Sequence, residues 1–253
     1  MSPLHLVVAG AAGFVAGGVN AVAGGGTLLS FPVLIALGLP PVSANITNTV
    51  ALTPGYLGGA LAQRTALQGQ RRRVRALVGV AAVGGLAGSI LLVLTSDAAL
   101  RSVIPAFLLG ATLLLAGQDR IRAALHIGQR AGGPDPRWLA LPVFAVSVYG
   151  GYFGAGLSIL LLAVLGIAVH DTLPRLNAVK QLLALVVQGT AALFFLTSHK
   201  IYWIVALVMA VTSLAGGALG GRMADRVKPA RLRAMVVVIG LAVSIGYAVK
   251  IWF

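Results

Sequence analysis

The sequence predicts an all-α polytopic membrane protein made of two inverted structural repeats, with short or broken helices after its glycine clusters. Three observations predict it. Of 253 residues, 58% are hydrophobic and 9% charged, whereas a soluble domain carries roughly 25% charged residues. The basic residues collect in a few short connections. Two stretches 130 residues apart each pair a glycine cluster with a later asparagine: Gly24-Gly25-Gly26 with Asn48, and Gly154-Ala155-Gly156 with Asn177. Repeated interruptions of this kind mark the substrate site in transporters built from two related halves.

The elements follow in order. Residues 4–22, 27–38, 44–63, 74–95 and 101–118 form five apolar segments, and 138–153, 157–169, 175–197, 201–221 and 231–252 form five more. A helix rising about 1.5 Å per residue needs about 20 residues to cross roughly 30 Å of hydrocarbon. Most segments reach that length. Residues 27–38 and 157–169 do not, and each directly follows a glycine cluster, where the chain can turn without a Cβ penalty. Two readings fit them: broken helices at a site, or short tilted helices at a tight packing contact. The halves are residues 1–118 and 138–253. Between them, 119–137 with its Gly132-Gly133-Pro134 reads as a cytoplasmic linker. Residues 1–23 hold His5 but no Lys or Arg, so they lack the charged start of a targeting peptide and are expected to remain in the mature protein.

A formal charge of +14 would suit nucleic acid, but its distribution argues for membrane orientation instead. Fourteen of the nineteen Lys and Arg residues lie in three connections: Arg64, Arg71, Arg72, Arg73 and Arg75; Arg120, Arg122, Arg130 and Arg137; Arg222, Arg226, Lys228, Arg231 and Arg233. Placing these connections in the cytoplasm puts both termini outside and leaves the outward connections, near Asp97 and near His199-Lys200, with few charges. Five segments per half is an odd number, so the second half enters inverted. Leu86-Ala87-Gly88 and Leu214-Ala215-Gly216, 128 residues apart, add to the repeat. With no cysteine, disulfide and thiolate chemistry are absent.

Polar residues within the apolar segments nominate a substrate site. Burying amides and hydroxyls in hydrocarbon is costly unless they find partners. On a helix Asn45, Thr49 and Thr53 share a face, with Asn48 beside them, and Pro54 removes a backbone donor from the same stretch. Asn48 and Thr49 are candidates to line a cavity; helix-to-helix hydrogen bonding is the alternative. The matching segment has Asn177, Lys180, Gln181 and Gln188. An intramembrane lysine is a functional hypothesis by default, able to hold an anion by point-charge attraction, while snorkelling to water is the structural alternative. Helix starts at Thr27 and Leu157 would present unpaired N–H groups to a negative oxygen, with Thr27 and Ser158 adding hydroxyls.

These residues carry a family resemblance. The run Gly24-Gly25-Gly26-Thr27-Leu28-Leu29-Ser30-Phe31-Pro32, followed by Gly38 and Asn48-Thr49, resembles the signature of the sulfite exporter TauE/SafE family. Gly154-Ala155-Gly156, followed by Gly166 and Asn177, resembles its second copy. The resemblance runs from about residue 7 to residue 250. It implies an inner-membrane permease that exports small sulfur-containing or organic anions such as sulfite, sulfoacetate or related sulfonates. Family members are described with about eight helices, against ten segments here, and Ala155 departs from three consecutive glycines.

No cofactor or metal is expected, and no oligomeric state follows from the sequence. The expected partners are a small anionic substrate and membrane lipids. Proton coupling stays open, because no Asp or Glu lies deep in a segment and only His170 and Asp171, before the second polar segment, are placed to relay protons. Substrate titration and uniport fit equally. Alternating access is the expected mechanism and a passive anion channel the alternative. An enzyme is not expected, since the histidines are scattered and form no His-x-x-x-His pair.

Overall fold

The computed structural model describes residues 2–22, 24–118, 120, 135–223 and 229–252. Among them are ten α-helices: α1 Pro3–Val22, α2 Thr27–Ala36, α3 Pro41–Ala62, α4 Arg71–Leu94, α5 Asp97–Ala116, α6 Ala140–Tyr152, α7 Leu157–Ala168, α8 Leu173–Phe195, α9 Trp203–Met223 and α10 Pro229–Trp252. Single 3-10 turns, Arg64–Leu67 and Arg137–Leu139, precede α4 and α6. Each helix lies on one of the ten apolar segments. The linker residues 121–134 fall outside the described residues.

Local chemistry explains the boundaries. Proline stands at the start of α3 and α8, where its missing N–H would be unpaired in any case. Ser96 caps α5 by accepting from the Ala99 N–H at 3.2 Å. The short helices begin at Thr27 and Leu157, where the glycine clusters place them.

Small residues then decide how the helices pack. With no water to expel between them, membrane helices gain by close van der Waals approach, which glycine permits. A Cβ on Gly17 of α1 would stand 2.3 Å from the Ser213 carbonyl oxygen of α9, and one on Gly88 of α4 would stand 2.0 Å from the Val148 carbonyl oxygen of α6. The order of contacts gives direction. Gly10 meets Val208, Gly13 meets Met209 and Thr212, Gly17 meets Ser213 and Gly18 meets Gly216, so α1 and α9 run parallel. Gly84 against Phe144 and Gly88 against Tyr152 make α4 and α6 parallel in the same way. In contrast, Thr53 meets Gln188, Tyr56 meets Gln181 and Gln63 meets Asn177, so α3 and α8 run in opposite directions.

Exchanging the first five helices for the last five converts the α1/α9 contact into α6/α4, and α3/α9 into α8/α4. The α3/α8 and α5/α10 contacts map onto themselves. The centre belongs to α3 and α8, each packed by helices of both halves.

The outside is apolar. Leu4, Leu94, Leu141, Leu193, Ile204 and Val211 are exposed, an arrangement that water would penalise and hydrocarbon favours. Helices α1, α4, α5, α8 and α9 are long and apolar enough to cross a membrane. Helix α3 is 22 residues long as well, but its Asn and Thr residues make it less apolar. The protein is an all-α polytopic membrane protein.

Candidate functional site

The starts of the two short helices meet. Gly24 and Gly25 have φ of 79° and 89°, and Gly154 and Gly156 have φ of 76° and 75°, a left-handed conformation that costs other residues roughly 1–2 kcal/mol. These turns fold α2 back beside α1 and α7 back beside α6. A Cβ on Gly24 would lie 3.0 Å from Ser158 Cβ, on the first turn of α7. One glycine of the first cluster thus touches the hydroxyl-bearing residue that follows the second.

Further polar groups gather at this meeting point. Asn20, near the end of α1, accepts the Gly26 N–H on Oδ1 at 2.7 Å and so holds the entrance to α2. The phenol of Tyr56, in the second half of α3, lies beside Ser158. Gln181 of α8 donates from Nε2 to the Tyr56 carbonyl at 3.4 Å. Asn20, Thr27, Tyr56, Ser158, Lys180 and Gln181 are all buried.

The cluster leaves polar atoms unspent. Asn20 Nδ2 and Gln181 Oε1 are buried without a hydrogen-bond partner. A buried donor or acceptor left so costs about 1–3 kcal/mol, and a small polar ligand or water would recover it. Lys180, at 2% exposure, is sunk in the protein rather than extended to water, and it has an interaction of its own.

Of the residues nominated from sequence, Gly24 and Ser158 touch, Gly26 joins them through Asn20 and Gln181 through Tyr56, while Thr27 and Lys180 are chain neighbours of Gly26 and Gln181. Gly25 instead packs on Leu115 and Leu28, Gly156 on Ala111, and Gly154 beside the Gln188 amide. Asn48 and Asn177 are not neighbours. Asn177 donates from Nδ2 to Gln63 Oε1 at 2.8 Å, and Gln63 is fifteen residues along α3 from Asn48, about 22 Å of helix axis. The two asparagines flank Tyr56 from opposite ends. Asn48 Oδ1 has no partner, and Thr49 beside it is buried.

Sequence reasoning missed Asn20 and Tyr56. Asn20 was legible as the last polar residue before the glycines of an apolar segment. Tyr56 gave no signal, because an aromatic in a membrane segment is ordinarily packing.

His170 and Asp171 do not reach this centre. Asp171 accepts from Arg73 Nη1 at 2.9 Å on one oxygen, and from Arg175 Nε and the Thr172 N–H, each at 2.8 Å, on the other. Burial by itself would raise its carboxyl, but Arg73, the Thr172 amide and Arg175 outweigh burial and hold it below the ordinary carboxylate value. Such a carboxylate stays charged near neutral pH. Among the described residues, no group of three or more His, Cys, Asp or Glu side chains could hold a metal ion.

Comparison with known proteins agrees in direction. The profile of the family described as Sulfite exporter TauE/SafE matches residues 9–247. A probable membrane transporter protein, YfcA, of Escherichia coli strain K12 is 27% identical over 259 aligned residues, which cover 96% of this chain and 90% of that protein. A probable membrane transporter protein of Haemophilus influenzae is 25% identical over 239, covering 92% and 90%.

Proposed function

The chain belongs to the sulfite exporter TauE/SafE family, and we infer that it is a secondary transporter that exports small sulfur-containing or organic anions through the centre between α2, α3, α7 and α8. The observation that carries this reading is the contact of Gly24 with the first turn of α7, with unpartnered buried amide atoms of Asn20 and Gln181 on the helices packed around it. Unpaired N–H groups and the positive end of each helix favour a negative oxygen. The N–H groups of Gly24 and Gly26 are taken by the Val19 carbonyl and Asn20 Oδ1, so Thr27 and Ser158 present that surface with their hydroxyls, and Gln181 and Asn20 supply amides to a neutral rim. Lys180 contributes charge from α8. An anion with few oxygens, such as sulfite or the head of a sulfonate, fits a small site of hydroxyls and amides.

The halves are an inverted repeat in this reading. Supporting it, α1, α3 and α9 run one way and α4, α6 and α8 the other: Gln70 beside Arg175 and Gly85 beside Val187 align α4 with α8, while Gly55 and Gly59 beside Gly217 and Gly221 align α3 with α9. Corresponding helices of the two halves are therefore opposed. Alternating access then moves one set against the other, with Asn48 on the path from one end and Asn177 on the path from the other. The arginine-bearing end is the cytoplasmic one by the positive-inside rule, which leaves both termini on the outer side of a bacterial inner membrane.

Reconstituted flux tests this. Proteoliposomes loaded with sulfite, sulfoacetate or sulfate, with and without a proton gradient, should show saturable efflux and counterflow for at least one anion. Ser158→Ala and Gln181→Ala should each slow it at least tenfold. Non-saturable flux without counterflow would favour a channel, and unchanged flux in both variants would reject the central site.

A further inference from the structure

The ion cluster around Asp171 forms one wall of a separate cavity of about 700 Å³ at the arginine-bearing end. Its lining includes Arg72 and Arg73 at the start of α4, Asp135 and Arg137 before α6, and Arg175 in the first turn of α8. Arg73 is spent: Nε and Nη2 donate to Asp135 at 2.8 and 3.0 Å, and Nη1 to Asp171 and Gln70. Arg175 gives Nε to Asp171 and Nη1 to the Gln68 carbonyl, and no described residue takes its Nη2. Arg72 and Arg137 make no ion pair or side-chain hydrogen bond with the described residues. Among the described residues, four guanidinium groups thus face two carboxylates, Asp135 in the wall and Asp171 behind it, an excess of four minus two, or two, positive charges.

We propose that this cavity is a second oxyanion site, which takes a phosphate- or sulfonate-type head group between Arg72, Arg137 and the free edge of Arg175. The donors arrive from three elements, α4, the Arg137–Leu139 turn and α8. That arrangement suits a tetrahedral head with three terminal oxygens, since guanidinium forks bind such oxygens with both geometry and charge. A planar carboxylate has one oxygen too few. Asp171 holds Arg73 and Arg175 in place, so part of the site is preorganised at no cost to the ligand. The head group can belong to a free anion or to an anionic lipid, because basic pockets at a membrane surface serve both. This site does not depend on the central cluster.

The test uses the full chain in nanodiscs and reads heat stability with inorganic phosphate as the probe. In phosphatidylcholine, phosphate should raise the melting temperature saturably. In a bilayer containing phosphatidylglycerol, a lipid-filled site would raise it without phosphate and blunt the phosphate response. Either result supports the site when the double variant Arg72→Gln, Arg137→Gln weakens the response at least tenfold in concentration while melting normally without ligand. Arg101→Gln, at the other end, and Gln181→Ala, in the central cluster, should keep it. Stability indifferent to phosphate and to phosphatidylglycerol would overturn the proposal, and so would a full response in the double variant.

Discussion

The two glycine clusters fill equivalent places in the two halves and solve the same turn differently. In the first, Gly24 and Gly25 are left-handed, while Gly26 is right-handed at φ −57° and already part of the approach to α2. In the second, Ala155 cannot take a left-handed conformation cheaply, so the left-handed positions are Gly154 and Gly156. One methyl group shifts the turn by one residue. Support differs as well. Asn20 holds Gly26 from within the first half, whereas the residue 130 positions later is Gly150, which has no side chain to offer. There Tyr149 donates its hydroxyl to the Ala155 carbonyl at 2.7 Å and Gln188 donates to the Gly150 carbonyl at 3.1 Å. The first turn is thus held by an amide cap on a backbone N–H, and the second by side-chain donors to backbone carbonyls.

The polar helices that follow repeat the lesson. The start of α3 is held from a distance, by Asp97 of α5 accepting the Val42 N–H at 2.8 Å. The start of α8 is held by Asp171, its immediate predecessor but one, which also binds arginines of both halves. Similar helix starts therefore coexist with different wiring, and among the described residues the ion network joins the halves at the α8 start.

Substitutions can break this comparison, beginning with the largest effect. A Cβ on Gly26 would stand 2.1 Å from the Ala16 carbonyl oxygen, so Gly26→Ala should cost about 3 kcal/mol or prevent folding altogether. Gly156→Ala, with its nearest contact at 3.4 Å, should pay only the left-handed strain of about 1 kcal/mol; thermal melting of both in nanodiscs would compare them, and equal losses would dissolve the contrast.

Asp171→Asn should come next, at about 2 kcal/mol, because it leaves Arg73 and Arg175 without their shared carboxylate. Its pH behaviour has a definite sign. The folded carboxyl sits below its ordinary value, so its stabilisation is fully present above about pH 4 and is lost as pH falls through the depressed value. Between pH 5 and 8 melting of the wild type should not track Asp171. A midpoint near neutrality that disappears in Asp171→Asn would restore the carboxyl as a proton carrier.

Asn20→Ala should cost about 1 kcal/mol for the lost cap and slow anion flux several-fold, measured in proteoliposomes. No reciprocal gain is available in the other half: a Cβ on Gly150 would stand 2.6 Å from a Leu157 methyl, so Gly150→Asn should destabilise rather than cap. The smallest effect is expected for Ala155→Gly, below about 1 kcal/mol from added freedom of the unfolded chain, with flux unchanged.

Much of this was legible because hydrocarbon imposes strict rules. Apolar run lengths and glycine positions located the helices to within a few residues, including the starts at Thr27 and Leu157, since a chain in lipid must satisfy its backbone within helices. The site was legible only in part. Asn48 and Asn177 match by their spacing from the glycine clusters, and matching spacing suggests that they converge. They are apart instead, because α3 and α8 run in opposite directions, so a residue near the start of one lies far from a residue near the start of the other. Only residues near the crossing, such as Tyr56 and Gln181, stay close.

The sequence by itself determined the solvent, the helices, the glycine turns and the family signature, all of which follow from local composition and spacing. Tertiary structure alone decided which polar groups meet: Gly24 at Ser158, Asn20 at Gly26, Tyr56 at Gln181, and Arg73 at Asp171. Those meetings depend on helix direction and on how closely glycines let backbones approach. These are properties of pairs of segments, which no single segment encodes.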